Sequence, residues 1–470
     1  MIQLIVIYLY VLMAGVLVMM GWQYFRGTHD LLSFRNVALL GLCVFQLRSV
    51  AVALHYGGGH TEMTLSDPVQ TGLLFCVFVT IFLVVSLWSY ERGFGVEKLA
   101  ARIPTARAIP SVYALGALAV ALIMISALGR AGLLGYPFAQ LGAILAISSG
   151  IAACGVAGWI WGPRLFNPVV IAFVGVICLA AVILLIGATY GRRPLVGGGI
   201  ALLWGLYYSH FRYQNQKSSS LQLAAIAIVP LILVSLYTAA RGHESREQSG
   251  LEQLQVSLER GRIGDGIALL STGQDAGTNT LWLLEQRNTL ETRWFHTIIY
   301  TLVYPVPREI WPNKPITLAE ELPHLARLQR VRRDSLQLGP GIIGHVANEG
   351  SWFALFAYAI LGGLLFRLAD ELIKLHANNP LVVIAMGCSF GYVLGMARGE
   401  TSAFTALFVL GVVMMYLLLL ALGKVIQTFY PPEAMIPADD EYDEDVDLHE
   451  AEEDWSHYGQ PAAPSGTTRF

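Results

Sequence analysis

Charged side chains are scarce. Asp, Glu, Lys and Arg make up 13% of the 470 residues, about half of the roughly 25% usual in a soluble domain. Hydrophobic residues reach 55% and the mean hydropathy is +0.56. A water-soluble core does not account for apolar runs this long and this many, which points to an integral membrane protein. Cysteine is scarce too. Cys43, Cys76, Cys154, Cys178 and Cys388 all lie in apolar runs and none forms a CxxC pair. That excludes a disulfide or zinc framework and leaves five small buried hydrophobes. The first apolar run, from Ile2, lacks a basic leading region and a small-residue cleavage site, so it is read as a retained span. No nucleic-acid partner is expected.

A span takes about 20 mostly apolar residues. That length predicts about eleven transmembrane helices, near 2–24, 34–55, 69–90, 108–130, 136–161, 168–189, 195–209, 221–240, 351–368, 380–397 and 402–423. The fold class is an all-α polytopic bundle. Eight spans fill 1–240, a long polar segment covers 241–350, and three spans fill 351–424. From Pro431 onward 12 acidic residues accompany one basic one. With few aliphatic residues, 425–470 reads as a disordered, solubilising acidic tail.

Basic residues in short loops set the orientation. Arg26 and Arg35, then Arg92, Lys98, Arg102 and Arg107, then Arg164, Arg212 with Lys217, Arg367 with Lys374, and Lys424 fall in alternate loops. They place the N-terminus and 241–350 outside and the acidic tail in the cytoplasm. A structureless loop that long is unusual. Within it "SGLEQLQVSLERGRIGDG" reads as an amphipathic helix. "FHTIIYTLVYPV" is too short to span and reads as re-entrant or interfacial.

Several cations break the positive-inside pattern. Arg192, Arg193, Arg241 and Arg398 stand at outer span ends, and Arg308 and Lys314 lie in the long segment. Each alone suits an interfacial anchor. Together they suit a phosphate site, since the guanidinium fork binds phosphate oxygens in pairs and keeps its charge. Arg48, inside the second span, is expected to face the bundle interior.

The sharpest local pattern is "YPVPREIWPNKP", Tyr304–Pro315, with four prolines in twelve residues. So many prolines fix an extended or turning backbone. "VPREIWPNKP", with the later "LGPGIIGHVANEGSWFALFAYAILGGLLFRL", resembles the O-antigen polymerase and oligosaccharide repeat-unit polymerase family. Pro307, Arg308, Trp311, Pro312, Lys314 and Pro315 match that family's proline-basic run, and Gly344, Asn348 and Gly350 fit its glycine-rich run. His345 stands where the family carries a glutamate, with Glu349 close by.

The resemblance implies a glycosyltransferase C-like bundle in a bacterial inner membrane. It implies an enzyme joining oligosaccharide repeat units carried on polyprenyl pyrophosphate, at the outer face. Donor and acceptor glycan lipids, membrane lipids, a chain-length regulator and a flippase would be its partners. No cofactor is implied. No DxD-like pair occurs in the long segment, so arginines in place of a metal are expected to hold the pyrophosphate. Arg193, Arg241, Arg308 and Arg398 are the candidates, with Lys314 assisting. For the base the candidates are His345, Glu349, Glu309 and Glu400. Trp311, Tyr304 and Asn348 are candidates for sugar contact, although aromatics at this depth also suit a membrane belt. Two other readings remain open: a ligase-type glycan transferase, and a transporter of lipid-linked sugars. A transporter often carries an internal repeat, and none is found.

Overall fold

The computed structural model describes residues 1–56, 63–105, 111–132, 135–188, 193–240, 250–271, 276–328 and 337–429. The chain divides into two units, Met1–Tyr430 and Pro431–Phe470. The disordered acidic tail expected at 425–470 starts later, since the last helix continues to Phe429; the second unit lies outside the described residues. All regular structure among the described residues is helical.

All eleven predicted segments are helical where described, and among the described residues nine helices are long and apolar enough to cross a membrane. The first eight segments are α1 (Ile2–Phe25), α2 (Phe34–His55), α3 (Pro68–Arg92), α4 (Val112–Arg130), α5 (Gly135–Trp161), α6 (Pro168–Ala188), α7 (Arg193–Ser209) and α8 (Gln216–Ala240). The starts follow local chemistry. The Ser33 hydroxyl accepts from the Asn36 amide at 3.2 Å, and Asp67 accepts from Val69 and Gln70 just ahead of Pro68. Such caps satisfy amides that a first helical turn leaves without partners.

The 241–350 segment supplies six helices among the described residues. They are α9 (Gly250–Arg260), α10 (Ile263–Ser271), α11 (Ala276–Gln286), α12 (His296–Val303), α13 (Leu318–Leu325) and α14 (Gly341–Asn348). The expected single amphipathic helix is therefore two, α9 and α10, both packed on α8. Then come α15 (Trp352–Leu375), α16 (Pro380–Met396) and α17 (Thr401–Phe429).

Two predicted spans fall short of the length criterion. One is α7, with 17 residues. The other is α16, which breaks between Gly387 and Phe390. There the Trp204 indole donates to the Val383 carbonyl at 2.7 Å and its ring lies against Gly387, where a Cβ would stand 2.6 Å away. α15 runs past the predicted end at 368. Its last turns carry Arg367, which pairs with Glu97 at 3.1 Å and Glu371 at 2.9 Å, and Asp370, which accepts from the Phe34 amide and the Tyr90 hydroxyl. Charges read as a loop are held in helix by these partners.

α5 is central: 83% of its apolar window is buried, against 17% for α1. It packs on α4, α6, α7 and α17. Small residues let α5 and α7 meet backbone to backbone. A Cβ on Gly158 would stand 2.2 Å from the Leu202 carbonyl oxygen, and one on Gly205 2.1 Å from that of Gly155. Close helix approach of this kind is a familiar way to pack within a bilayer.

α2 contains a π-turn, Cys43–Arg48. Its extra residue rotates the helix and puts Gln46 and Leu47 on the buried face. Arg48, expected to face the interior, is exposed instead. Gln46 donates to the Ala397 carbonyl at 2.6 Å and lies 3.5 Å from that of Pro340. A π-turn inside a helix often marks a functional site, and this one fixes the two backbone segments that frame the cavity described below.

Gly158→Leu or Gly205→Leu is expected to lower the melting temperature in detergent strongly, since overpacking costs about 1–3 kcal/mol or more. Gly175→Leu on α6, where no atom lies within 4 Å of a built Cβ, is the control and leaves it unchanged.

Candidate functional site: a cationic cavity

The proline-rich stretch is a chain of turns closed on itself. The Val306 amide donates to Val303, Ile310 and Trp311 donate to Pro307, and Lys314 donates to Trp311. The Lys314 side chain is the clasp. It is 5% exposed, and its Nζ donates to the carbonyls of Tyr304 (2.7 Å) and Val306 (3.0 Å). Arg308 in turn donates to the Lys314 carbonyl at 3.2 Å. Burial, then the Arg308 charge, pulls the Lys314 ammonium below its usual range.

This clasp leaves Arg308 exposed beside a polar cavity of about 360 Å³. Arg193 from the first turn of α7 and Arg398 from the α16–α17 turn line the same cavity. Arg193 lies 4.1 Å over the Phe404 ring, and Arg398 5.9 Å over that of Phe45. Tyr300, Tyr304, Gln140, Asn279, Glu320 and Glu400 also line the cavity. Its floor depends on two backbones in contact: the Gly341 amide donates to Gly399 at 2.9 Å, and a Cβ on Gly339 would stand 2.6 Å from the Gly399 Cα. Gly341 also has φ +65, a conformation glycine adopts without strain.

Glu400 belongs to a buried chain of charge behind that wall. His345 is 0% exposed. Its Nδ1 lies 3.0 Å from Glu349, and its Nε2 faces both Glu400 (3.3 Å) and the Thr401 amide (3.2 Å). Glu349 also accepts from the Thr297 amide and hydroxyl and from the Tyr358 hydroxyl. Glu400 accepts from the Ala319 amide at 2.6 Å and from the Ser402 hydroxyl. Burial alone would drive the imidazole neutral. The Glu400 and Glu349 carboxylates outweigh it and raise the His345 pKa. Burial would likewise raise both carboxylates, but the His345 cation and the donors around them hold both below their usual range. The two carboxylates thus favour the protonated ring, while the Thr401 amide donates towards Nε2 from the other direction.

Of the residues singled out from sequence, Arg193, Arg308, Arg398, Tyr304 and Glu400 meet in the cavity. His345 and Glu349 lie buried behind it. Lys314 serves the turn, Trp311 is 40% exposed, and Asn348 is buried. These three and the exposed Glu309 are not among its lining residues. Arg192 and Arg241 lie outside the described residues. Asn279, Gln140 and Tyr300 were missed, because neutral residues in an apolar sequence carry no signal until the fold juxtaposes them. No family model matches the chain, and no curated protein or solved structure is detectably similar to it.

Removing His345 leaves two carboxylates buried together. His345→Ala should destabilise the fold by about 3–5 kcal/mol. The raised histidine adds stability that is complete below its ordinary value of 6.5 and is lost as pH rises towards the raised one. The carboxylates, lowered from 4.5, add stability that is present above that value and lost below it. Melting in detergent across pH should therefore show native stability declining above about pH 6.5. In His345→Ala this alkaline slope disappears.

Proposed function

We propose that this chain is a polymerase for a surface or secreted polysaccharide. It joins oligosaccharide repeat units carried on polyprenyl pyrophosphate at the outer face of a bacterial inner membrane. The observation that carries this reading is the convergence of Arg193, Arg308 and Arg398, from three separate parts of the chain, on one polar cavity shared with Glu400. In this reading all eleven helical segments cross or enter the bilayer, and α9–α14 lie outside.

The chemistry follows from the wall. The acceptor hydroxyl attacks the anomeric carbon of the donor. The C–O bond to pyrophosphate breaks, and its electron pair leaves on a phosphate oxygen. The three guanidinium groups hold the pyrophosphate and stabilise that growing charge. The hydroxyl proton passes to Glu400, the carboxylate at the cavity surface, which the His345 cation keeps ionised. His345 and Glu349 act through Glu400 as positioning residues.

Purified protein supplied with the lipid-linked repeat unit should yield a ladder of polymer lengths. Arg308→Ala and Arg398→Ala should each lower the rate by roughly 10²–10³, and Glu400→Gln by roughly 10²–10⁴. Full activity in both arginine variants would contradict the pyrophosphate clamp. In cells, loss of the gene should leave single-repeat glycan, whereas full-length polymer left on its carrier would point to a ligase instead.

A further inference from the structure

The cavity wall carries three arginines and two carboxylates, Glu320 and Glu400, and beside them a neutral part that includes Asn279, Gln140, Tyr300 and Tyr304. Asn279 differs from the rest of this neutral part. It stands in the second turn of α11 and is 1% exposed. Its Nδ2 donates to the Gly339 carbonyl at 3.3 Å, which sets the orientation of the amide. Its Oδ1 is buried and has no hydrogen-bond partner among the described residues. A buried amide oxygen left without a donor costs about 1–3 kcal/mol, and native proteins rarely carry one without a reason.

The surroundings hold Asn279 rigidly. The Gly277 amide donates to the Ser49 hydroxyl at 2.9 Å, and the Thr280 hydroxyl donates to the carbonyls of Ala276 and Pro340. Gln46 of the π-turn reaches the same Pro340 carbonyl. These bonds fix the backbone of the turn that carries Asn279. Its neighbours also place it near the carboxylate. Asn279 holds Gly339, Gly339 packs on Gly399, and Glu400 follows in the chain.

We propose that Asn279 is the specificity-determining contact for the acceptor sugar, its Oδ1 accepting a hydrogen bond from a hydroxyl of a neutral glycan held beside Glu400. The inference rests on the transferase reading above. It adds a division of labour: the cationic part of the wall takes pyrophosphate, and the neutral part takes sugar. A site built to accept from a hydroxyl discriminates strongly against analogues that lack it, because its own buried group then stays unpaired.

Two probes separate these roles. One is inorganic pyrophosphate. The other is the oligosaccharide repeat freed of carrier and pyrophosphate by mild acid. Binding of each to the purified full chain is measured by calorimetry, with melting temperatures alongside. Asn279→Ala should weaken glycan binding roughly five- to tenfold and leave pyrophosphate binding unchanged. Asn279→Asp, which keeps an acceptor oxygen, should retain glycan binding within about threefold of the native protein, provided its melting temperature is native-like. Arg308→Ala should show the reverse pattern, losing pyrophosphate and keeping glycan. The inference is overturned if Asn279→Ala binds glycan like the native protein. It is also overturned if that variant weakens both probes equally, or if the native protein binds pyrophosphate but no glycan. A native protein that binds glycan but no pyrophosphate would instead overturn the transferase reading and leave Asn279 as a sugar contact.

Discussion

The His345 imidazole, clamped between Glu349 and Glu400, is the contact on which the cavity end of the bundle depends. Through its two carboxylates it reaches Thr297 of α12, Ala319 of α13, Tyr358 of α15 and Ser402 of α17. Four helices are thus registered on one buried charge cluster. In a low-dielectric setting such a cluster is worth having only when every member is satisfied. Here each carboxylate pairs with the histidine and accepts from at least two other donors. The arrangement fixes Glu400 at the cavity wall and holds its carboxyl below the usual range, and it fixes the turn that carries Arg398.

The cavity is a product of exclusion as much as of attraction. Lys314 turns inward to hold the proline-rich turns, and this leaves Arg308 as the cation that the stretch presents. The π-turn moves Gln46 onto the buried face, where it grips the backbones next to Gly339 and Gly399. At the other end of α15, Asp370, Arg367, Glu97 and Glu371 form a separate polar layer that fastens the helix starts there. The α5–α7 glycine contact lies in the apolar packing of the bundle. Rigid packing at several depths lets three arginines from distant parts of the chain keep a shared geometry.

Much of this was legible in the sequence. The apolar runs gave all eleven helical segments, because burial in a bilayer requires length and composition that nothing else in the chain imitates. The arginines stood out as exceptions to the charge pattern of the loops, and three of them do share a cavity. What stayed hidden depends on side-chain direction. A proline-framed lysine looks the same whether it faces a ligand or its own carbonyls. Arg48 was placed inside because a charge within a span is expected to face the bundle interior, and the π-turn is invisible in the sequence. Asn279 bonds Gly339, 60 positions on, and Glu400 accepts from Ala319, 81 positions back, so no local pattern announces them.

The claim at the centre of this account is that Arg193, Arg308 and Arg398 bind one pyrophosphate together. An electron cryomicroscopy structure of the protein in a lipid nanodisc with polyprenyl pyrophosphate tests it directly. Pyrophosphate density is expected in the cavity, within hydrogen-bond distance of all three guanidinium groups and next to Glu400. Density for the headgroup elsewhere on the protein, with the three arginines contacting only protein, would contradict it.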